Sequence, residues 1–250
     1  FPAWSPDGST LAFARFGDET TLLTIPAIGG PESRVASVDR AVYGLDWSPD
    51  GSLLAFSAAA DPEQPYVIAL LDLQTRSVRR LTEPQAQFTC DSWPAFSPDG
   101  RTIAFTRAGY ALQQDLFLIP TSGGATRRLT SAQHRLSGLD WTPDGSAVVF
   151  AAAPGGSLGL WRVTVADGTV SPLPTRGEAA AFPSLAARAD TLVYAELRSD
   201  RNVWEVPIGS TDPAGLEAEL LDQGEGRWLE RRRAWEPPPG LRPGVAGGVA

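Results

Sequence analysis

The chain has 250 residues, 42% of them hydrophobic, with a formal charge of −8 at neutral pH and a pI near 4.7. That length allows one large all-β domain or two small ones, and the acidity excludes the basic surface that nucleic acid requires. One cysteine (Cys90), one histidine (His134) and no apolar run near the roughly 18 residues of a membrane span exclude an internal disulfide, a cysteine-based zinc site and a spanning helix.

All 21 basic residues are Arg and Met is absent. A chain without an initiator residue reads as a fragment or a processed product, and Phe1 opens no basic-then-apolar leader.

In chain order, one phrase recurs. "WSPDGSTLAF" occupies 4–13, "WSPDGSLLAF" 47–56, "FSPDGRTIAF" 96–105 and "WTPDGSAVVF" 141–150, with a degenerate copy "LAARADTLVY" at 185–194. The Ser/Thr-Pro-Asp-Gly element has hairpin-turn chemistry: Pro presets φ, Asp suits the next position and Gly takes the left-handed one. Alternating residues follow each turn. A second β-rich stretch comes next, as in "PYVIALLDL" (65–73), "DLFLIP" (115–120), "LGLWRV" (158–163) and "NVWEVP" (202–207). A short third stretch follows, as in "VRRLT" (78–82) and "TRRLT" (126–130). Four antiparallel strands in each unit of 43–49 residues predict an all-β fold, a β-propeller of four-stranded blades. Five blades are visible, at about 1–41, 42–88, 89–133, 134–177 and 178–222. "EAAAFPSLAAR" (178–188) is alanine-rich, but Pro183 and the blade register place it in an inner strand. Phe13, Phe56, Phe105, Phe150 and Tyr194 share one position and are expected to stack between blades.

The phrase and "LFLIPTSGGATRRLT" (116–130) resemble the WD-repeat-like propeller repeats of the TolB family over residues 1 to about 222. The resemblance implies a six-bladed fold and a protein-binding or sensing role in the bacterial envelope, periplasmic or otherwise extracytoplasmic, with the cytoplasm still open. Similar repeats occur in the gating propellers of prolyl-oligopeptidase-like peptidases.

A longer period is superimposed. Units one, three and five open with "FPAW", "WPAF" and "FPSL"; units two and four open with "GLDW". This two-blade super-repeat predicts an even sixth blade after the odd fifth. The tail at 223–250 is rich in Pro, Gly and Arg, reads as disordered and does not supply that blade. A truncated ring, a genuine five-blade ring and a sequence artefact are open alternatives, and an incomplete ring would favour self-association.

Candidate functional residues follow from this frame. Asp7, Asp50, Asp99 and Asp144 belong to the turns, spread around a rim and not convergent. "GGSLG" (155–159) matches the nucleophile-elbow pattern but joins two strands of blade four, with no His after it. Asp46 and Asp140 hold matching places on even inner strands. They read either as hydrogen-bond partners of a neighbouring blade's backbone or as a negative channel lining for a cation. The face carrying the inter-blade loops collects Arg40, Tyr43, Trp93, Tyr110, His134, Arg135 and Arg198, residue types enriched at protein contacts. A protein partner is expected there, and no cofactor, metal or nucleic acid. The expected function is that of a non-catalytic interaction or sensing platform. The alternative is the non-catalytic propeller of a serine peptidase.

Overall fold

The computed structural model describes residues 2–17, 19–38, 43–59, 64–84, 88–109, 113–131, 134–186 and 191–198, together with the backbone of strands 203–205 and 219–222. All regular elements among these residues are strands. Two compact units are present, 1–197 and 198–250. The expected tail at 223–250 lies outside the described residues.

The first unit contains four four-stranded antiparallel sheets in simple up-and-down order. Sheet one comprises β1 (Ala3–Trp4), β2 (Thr10–Arg15), β3 (Thr20–Pro26) and β4 (Ser33–Val38). Sheet two comprises β5 (Leu45–Trp47), β6 (Leu53–Ala58), β7 (Val67–Asp72) and β8 (Val78–Arg80). Sheet three comprises β9 (Phe88–Phe96), β10 (Thr102–Gly109), β11 (Gln114–Pro120) and β12 (Arg127–Arg128). Sheet four comprises β13 (Leu136–Trp141), β14 (Ala147–Ala152), β15 (Gly159–Thr164) and β16 (Val170–Pro172). The fifth repeat contributes β17 (Ala180–Leu185) and β18 (Leu192–Glu196), paired with each other. In the second unit β19 (Val203–Glu205) pairs with β20 (Glu219–Asp222). The alanine-rich 178–188 stretch is therefore strand, as its Pro183 requires.

Each repeated phrase folds as its residues dictate. The Gly of the turn donates its N–H to the carbonyl three residues back, at 2.8 Å for Gly8, Gly51, Gly100 and Gly145. The turn Asp accepts the side-chain O–H of the Ser or Thr two residues before it, at 2.6 Å in all four copies. It also accepts the backbone N–H two residues on, at 3.0 Å. These are Asx-type turns closed by their own side chains. The "RRLT" threonines anchor the outer strands: Ile68 N–H donates to Thr82 Oγ1 and Leu116 N–H to Thr130 Oγ1.

The core lies between sheets, in successive seams. Leu22 and Val35 of sheet one meet Leu54, Phe56 and Leu71 of sheet two. Ile68 and Leu70 then meet Ile103, Phe105 and Ile119. Leu116 and Leu118 meet Trp141, Val148 and Phe150. Leu160 meets Ala180, with Leu192 and Tyr194 alongside. Seams in chain order between sheets are the propeller arrangement. Phe56, Phe105 and Phe150 are fully buried at the shared position, whereas Phe13 and Tyr194 are half-buried. The stacking expectation thus holds at the first three seams and is partial at the fourth, beside which Tyr194 lies, while Phe13 belongs to none of the four.

Candidate functional site

The inner strands of all five repeats line one cavity of about 810 Å³. Its wall carries aromatic residues (Trp4, Trp47, Trp93, Trp141, Phe182) and prolines, with Asp46 and Asp140 its only charged residues. This is the axial channel. The repeated Ser/Thr-Pro-Asp-Gly prolines form one end, and Trp93 and Phe182 lie toward the opposite, loop-bearing end.

Bulges aim those aromatic residues. In sheet three Ser92 pairs with Thr106 and Ala95 with Ala104, so Trp93 and Pro94 together oppose Phe105. In the fifth repeat Phe182 and Pro183 oppose Tyr194 in the same way. A bulge re-aims a side chain that regular pleating would bury. Trp93 and Phe182 accordingly have φ of 53° and 52°, a region that costs a non-glycine residue about 1–3 kcal/mol. Their rings meet at 5.4 Å between centroids.

The even strands are shaped to receive this geometry. Gly44 (φ 87°) and Gly138 (φ 83°) press against the bulged residue of the next repeat. A Cβ on Gly44 would lie 2.8 Å from Trp93 Cα, and one on Gly138 2.9 Å from Phe182 Cα. Two residues on, the aspartates lock the seam. Phe96 N–H donates to Asp46 Oδ2 at 2.7 Å, and Leu185 N–H donates to Asp140 Oδ2 at 2.7 Å. The tryptophans reach the opposite way: Trp47 Nε1–H donates to Ala3 O and Trp141 Nε1–H to Ala95 O, each at 3.0 Å. "GLDW" is therefore a two-sided clasp, with Gly and Asp gripping the following sheet and Trp the preceding one.

Burial pushes the Asp46 carboxyl up to about 7, helped by the charge of Asp140 and opposed by the Phe96 and Trp47 amides. Burial pushes Asp140 up to about 6 against the Leu185 and Trp141 amides. Of the two readings of these residues, the structure displays the backbone hydrogen bond. Among the described residues no group of three His, Cys, Asp or Glu could hold a metal ion.

The loop-face candidates are placed as follows. Tyr43 is exposed and packs edge-to-face on Tyr66 at 5.0 Å. Its carbonyl accepts the Trp93 N–H at 3.1 Å, so Tyr43 adjoins Trp93 through its backbone, and Trp93 lines the channel with Phe182. His134 is half-buried in its connection, where its carbonyl accepts the Gln114 N–H. Arg135 is exposed beside it, and Arg198 is exposed in the second unit. Arg40 and Tyr110 lie outside the described residues. Ser157 of "GGSLG" sits in the exposed β14–β15 hairpin, without the strand-turn-helix setting of an elbow. Burial pushes the Cys90 thiol up to about 11, which leaves it protonated at neutral pH.

One polar centre escaped sequence reasoning. Arg107 and Asp91 form a buried two-pronged ion pair, Nε–Oδ1 2.7 Å and Nη2–Oδ2 2.8 Å. The guanidinium lies 5.0–5.3 Å from the ring centroids of Phe88, Phe105 and Phe117. Arg15 holds the position of Arg107 in sheet one and lies 5.8 Å from the Phe13 ring, but there it is exposed and pairs with Glu32, so the repeat pattern alone does not mark the buried pair.

Comparison with known proteins agrees with this architecture. The chain is 28% identical over 202 residues to the protein Atu1656 of Agrobacterium fabrum, covering 80% of this chain and 66% of that one. It is 41% identical over 64 residues to the peptidase YuxL of Bacillus subtilis, covering 25% of this chain and 9% of that one. The chain thus spans less than two thirds of the length of these relatives. The crystal structure of TolB from Acinetobacter baumannii superposes with a TM-score of 0.66 at 22% identity, over 86% of this chain and 53% of that one. The TolB β-propeller domain family matches residues 1–109 and 89–227. With that match over most of its length, and with sheets, seams and turns of the same kind, the chain belongs to the TolB β-propeller family.

Proposed function

We infer that this protein is a non-catalytic propeller of the bacterial envelope that binds a protein partner through its loop face. One observation carries the reading: Trp93 and Phe182 pack ring to ring in the channel wall, Tyr43 adjoins Trp93 through its carbonyl, and Tyr43 and Phe182 are each 41% exposed. Rigid aromatic side chains held on a fixed scaffold are the usual anchors of protein contacts. The chemistry at hand supports binding over turnover. The lone histidine is engaged in a loop, the lone thiol is protonated, and the "GGSLG" serine lies in a hairpin. The extracytoplasmic setting rests on the likeness to TolB.

A second reading has its own support in the 41% identity to the YuxL peptidase over 64 residues. In it the propeller accompanies a hydrolase domain and gates it. A photo-cross-linking residue at position 43 or 182, compared with one at position 50 on the turn face, tests the first reading in the native organism. Protein adducts are expected from positions 43 and 182 and not from 50. Equal labelling at all three, or none, rejects the loop face as the working surface.

A further inference from the structure

Where an even repeat meets the odd repeat after it, the backbone makes the same contact twice. Asp91 N–H donates to Tyr66 O at 2.9 Å, and Ala180 N–H donates to Leu158 O at 3.0 Å. The side chains differ. At the first of these seams the buried Asp91 is tied to both sheets: its carbonyl accepts the Ser57 hydroxyl at 2.6 Å, and its carboxylate takes the Arg107 fork and a hydrogen bond from the Thr82 side chain. At the second seam Ala180 holds the place of Asp91, Glu196 that of Arg107, Leu158 that of Tyr66 and Ser137 that of Tyr43. That seam closes without a buried ion pair, so the pair is not something the seam itself demands. The pair and the two tyrosines occur together at one seam and are replaced together at the other.

The connection between them runs along β9. This strand has nine residues, whereas the other described inner strands have two to six. Its first half, Phe88–Asp91, continues beyond the Trp93 bulge and is fastened by Arg107, through the Asp91 carboxylate and through the Phe88 ring at 5.2 Å. Tyr66 bridges to this half in both directions, its N–H donating to Thr89 O and its carbonyl accepting the Asp91 N–H. Tyr43 packs edge-on against the Tyr66 ring, and its carbonyl accepts the Trp93 N–H of the same strand. We propose that Asp91 and Arg107 are the positioning pair of the contact surface inferred above: they fix Tyr66, and through it Tyr43, as one preorganised aromatic unit for the protein partner. The assignment rests on the loop-face reading. Neither residue of the pair touches the partner, because their side chains are 0% and 5% exposed. Their part is to remove the ordering cost that a loosely held tyrosine would incur on binding.

Two variants of the full chain test this. Asp91→Ala with Arg107→Met takes over the alanine of the second seam and replaces a buried ion pair by apolar atoms, an exchange that folded proteins often tolerate. Arg107→Lys keeps the charge and loses the fork. In the double variant cooperative unfolding is expected to persist, hydrogen exchange of the amides at 66 and 91 should quicken about tenfold, and that at 180 should not change. Photo-cross-linking from position 43 in the native organism should then fall several-fold, while adducts from position 182 stay at the level of the unaltered chain. Arg107→Lys should give intermediate values at 43 and leave 182 alone. Unchanged exchange at 66 and 91 overturns the proposal. So does quickened exchange with undiminished adducts from 43, or an equal loss at 43 and 182, which marks general destabilisation. Adducts from 182 but none from 43 in the unaltered chain also overturn it and leave the loop-face reading standing. Adducts from neither position in the unaltered chain reject that reading, and the exchange measurement then decides alone whether the pair holds Tyr66.

Discussion

At the scale of single residues, the clasps at the even-to-odd seams concentrate the most demanding geometry. Gly138 has φ of 83° and a backbone atom where a Cβ would go, whereas Gly8 has φ of 71° and open space around it. Gly8→Ala should cost about 1–2 kcal/mol, the conformational penalty alone. Gly138→Ala adds a collision with Phe182 Cα and should cost clearly more, as read by urea denaturation of both variants. Equal costs would mean that the seam is loose at this point. Asp46 gives a pH signature. Its folded pKa, about 7, exceeds the ordinary carboxylate value of 3.8, so between those values the folded state holds a proton that the unfolded state has lost. Stability contributed by this group must therefore fall as pH rises from about 4 to about 7. Asp46→Asn should flatten that slope. The turn carboxylates act with the opposite sign. Hydrogen bonds from Ser5 and Thr142 hold Asp7 and Asp144 down near 2, so their contribution is full above about 4 and is lost as pH falls toward 2. Denaturation midpoints measured from pH 2 to pH 8 check both signs.

At the scale of the element, one strand position has different worth in different sheets. Phe105 is fully buried against Phe117 and beneath the Arg107 guanidinium. Phe13, its counterpart in sheet one, is half-buried. Phe105→Ala should cost about 3–5 kcal/mol, and Phe13→Ala markedly less. A Phe13→Ala loss as large as that of Phe105→Ala in the unextended chain would show that sheet one is already covered.

At the scale of the whole molecule, the proposed function makes a plain prediction about chemistry. The purified chain is expected to show no turnover of ester or peptide substrates. Turnover abolished by Ser157→Ala would displace the binding reading and restore "GGSLG" as a nucleophile. The same chain, presented to its partner, should lose affinity on Tyr43→Ala or Phe182→Ala. Asp50→Ala on the turn face should lower stability and leave binding intact.

The strand order, the turns and the seams were legible in the sequence because they rest on local chemistry repeated four times. Pro-Asp-Gly closes a turn wherever it stands, and alternation buries the same face each time. The two-blade super-repeat was legible as well, since "GLDW" and aromatic-Pro alternate along the chain. What the alternation does was not. Asp46 and Phe96 are 50 positions apart, and either a backbone clasp or a cation lining suited a lone inner-strand aspartate. Only the approach of two inner strands, with Gly44 under a bulged Trp93, brings the Phe96 amide to Asp46. The loop face likewise needed the fold: Tyr43 and Trp93 come from different repeats, and the bulge that turns Trp93 to the channel mouth depends on its pairing with β10. Arg107 has a repeat counterpart in Arg15, but Arg15 is exposed beside Glu32, so only the tertiary packing of three phenylalanines around Arg107 and Asp91 reveals the buried pair. Local hydrogen bonding and periodic burial are written in sequence. Contacts between neighbouring inner strands are decided by how successive sheets pack, because that step alone sets which distant groups come within hydrogen-bonding reach.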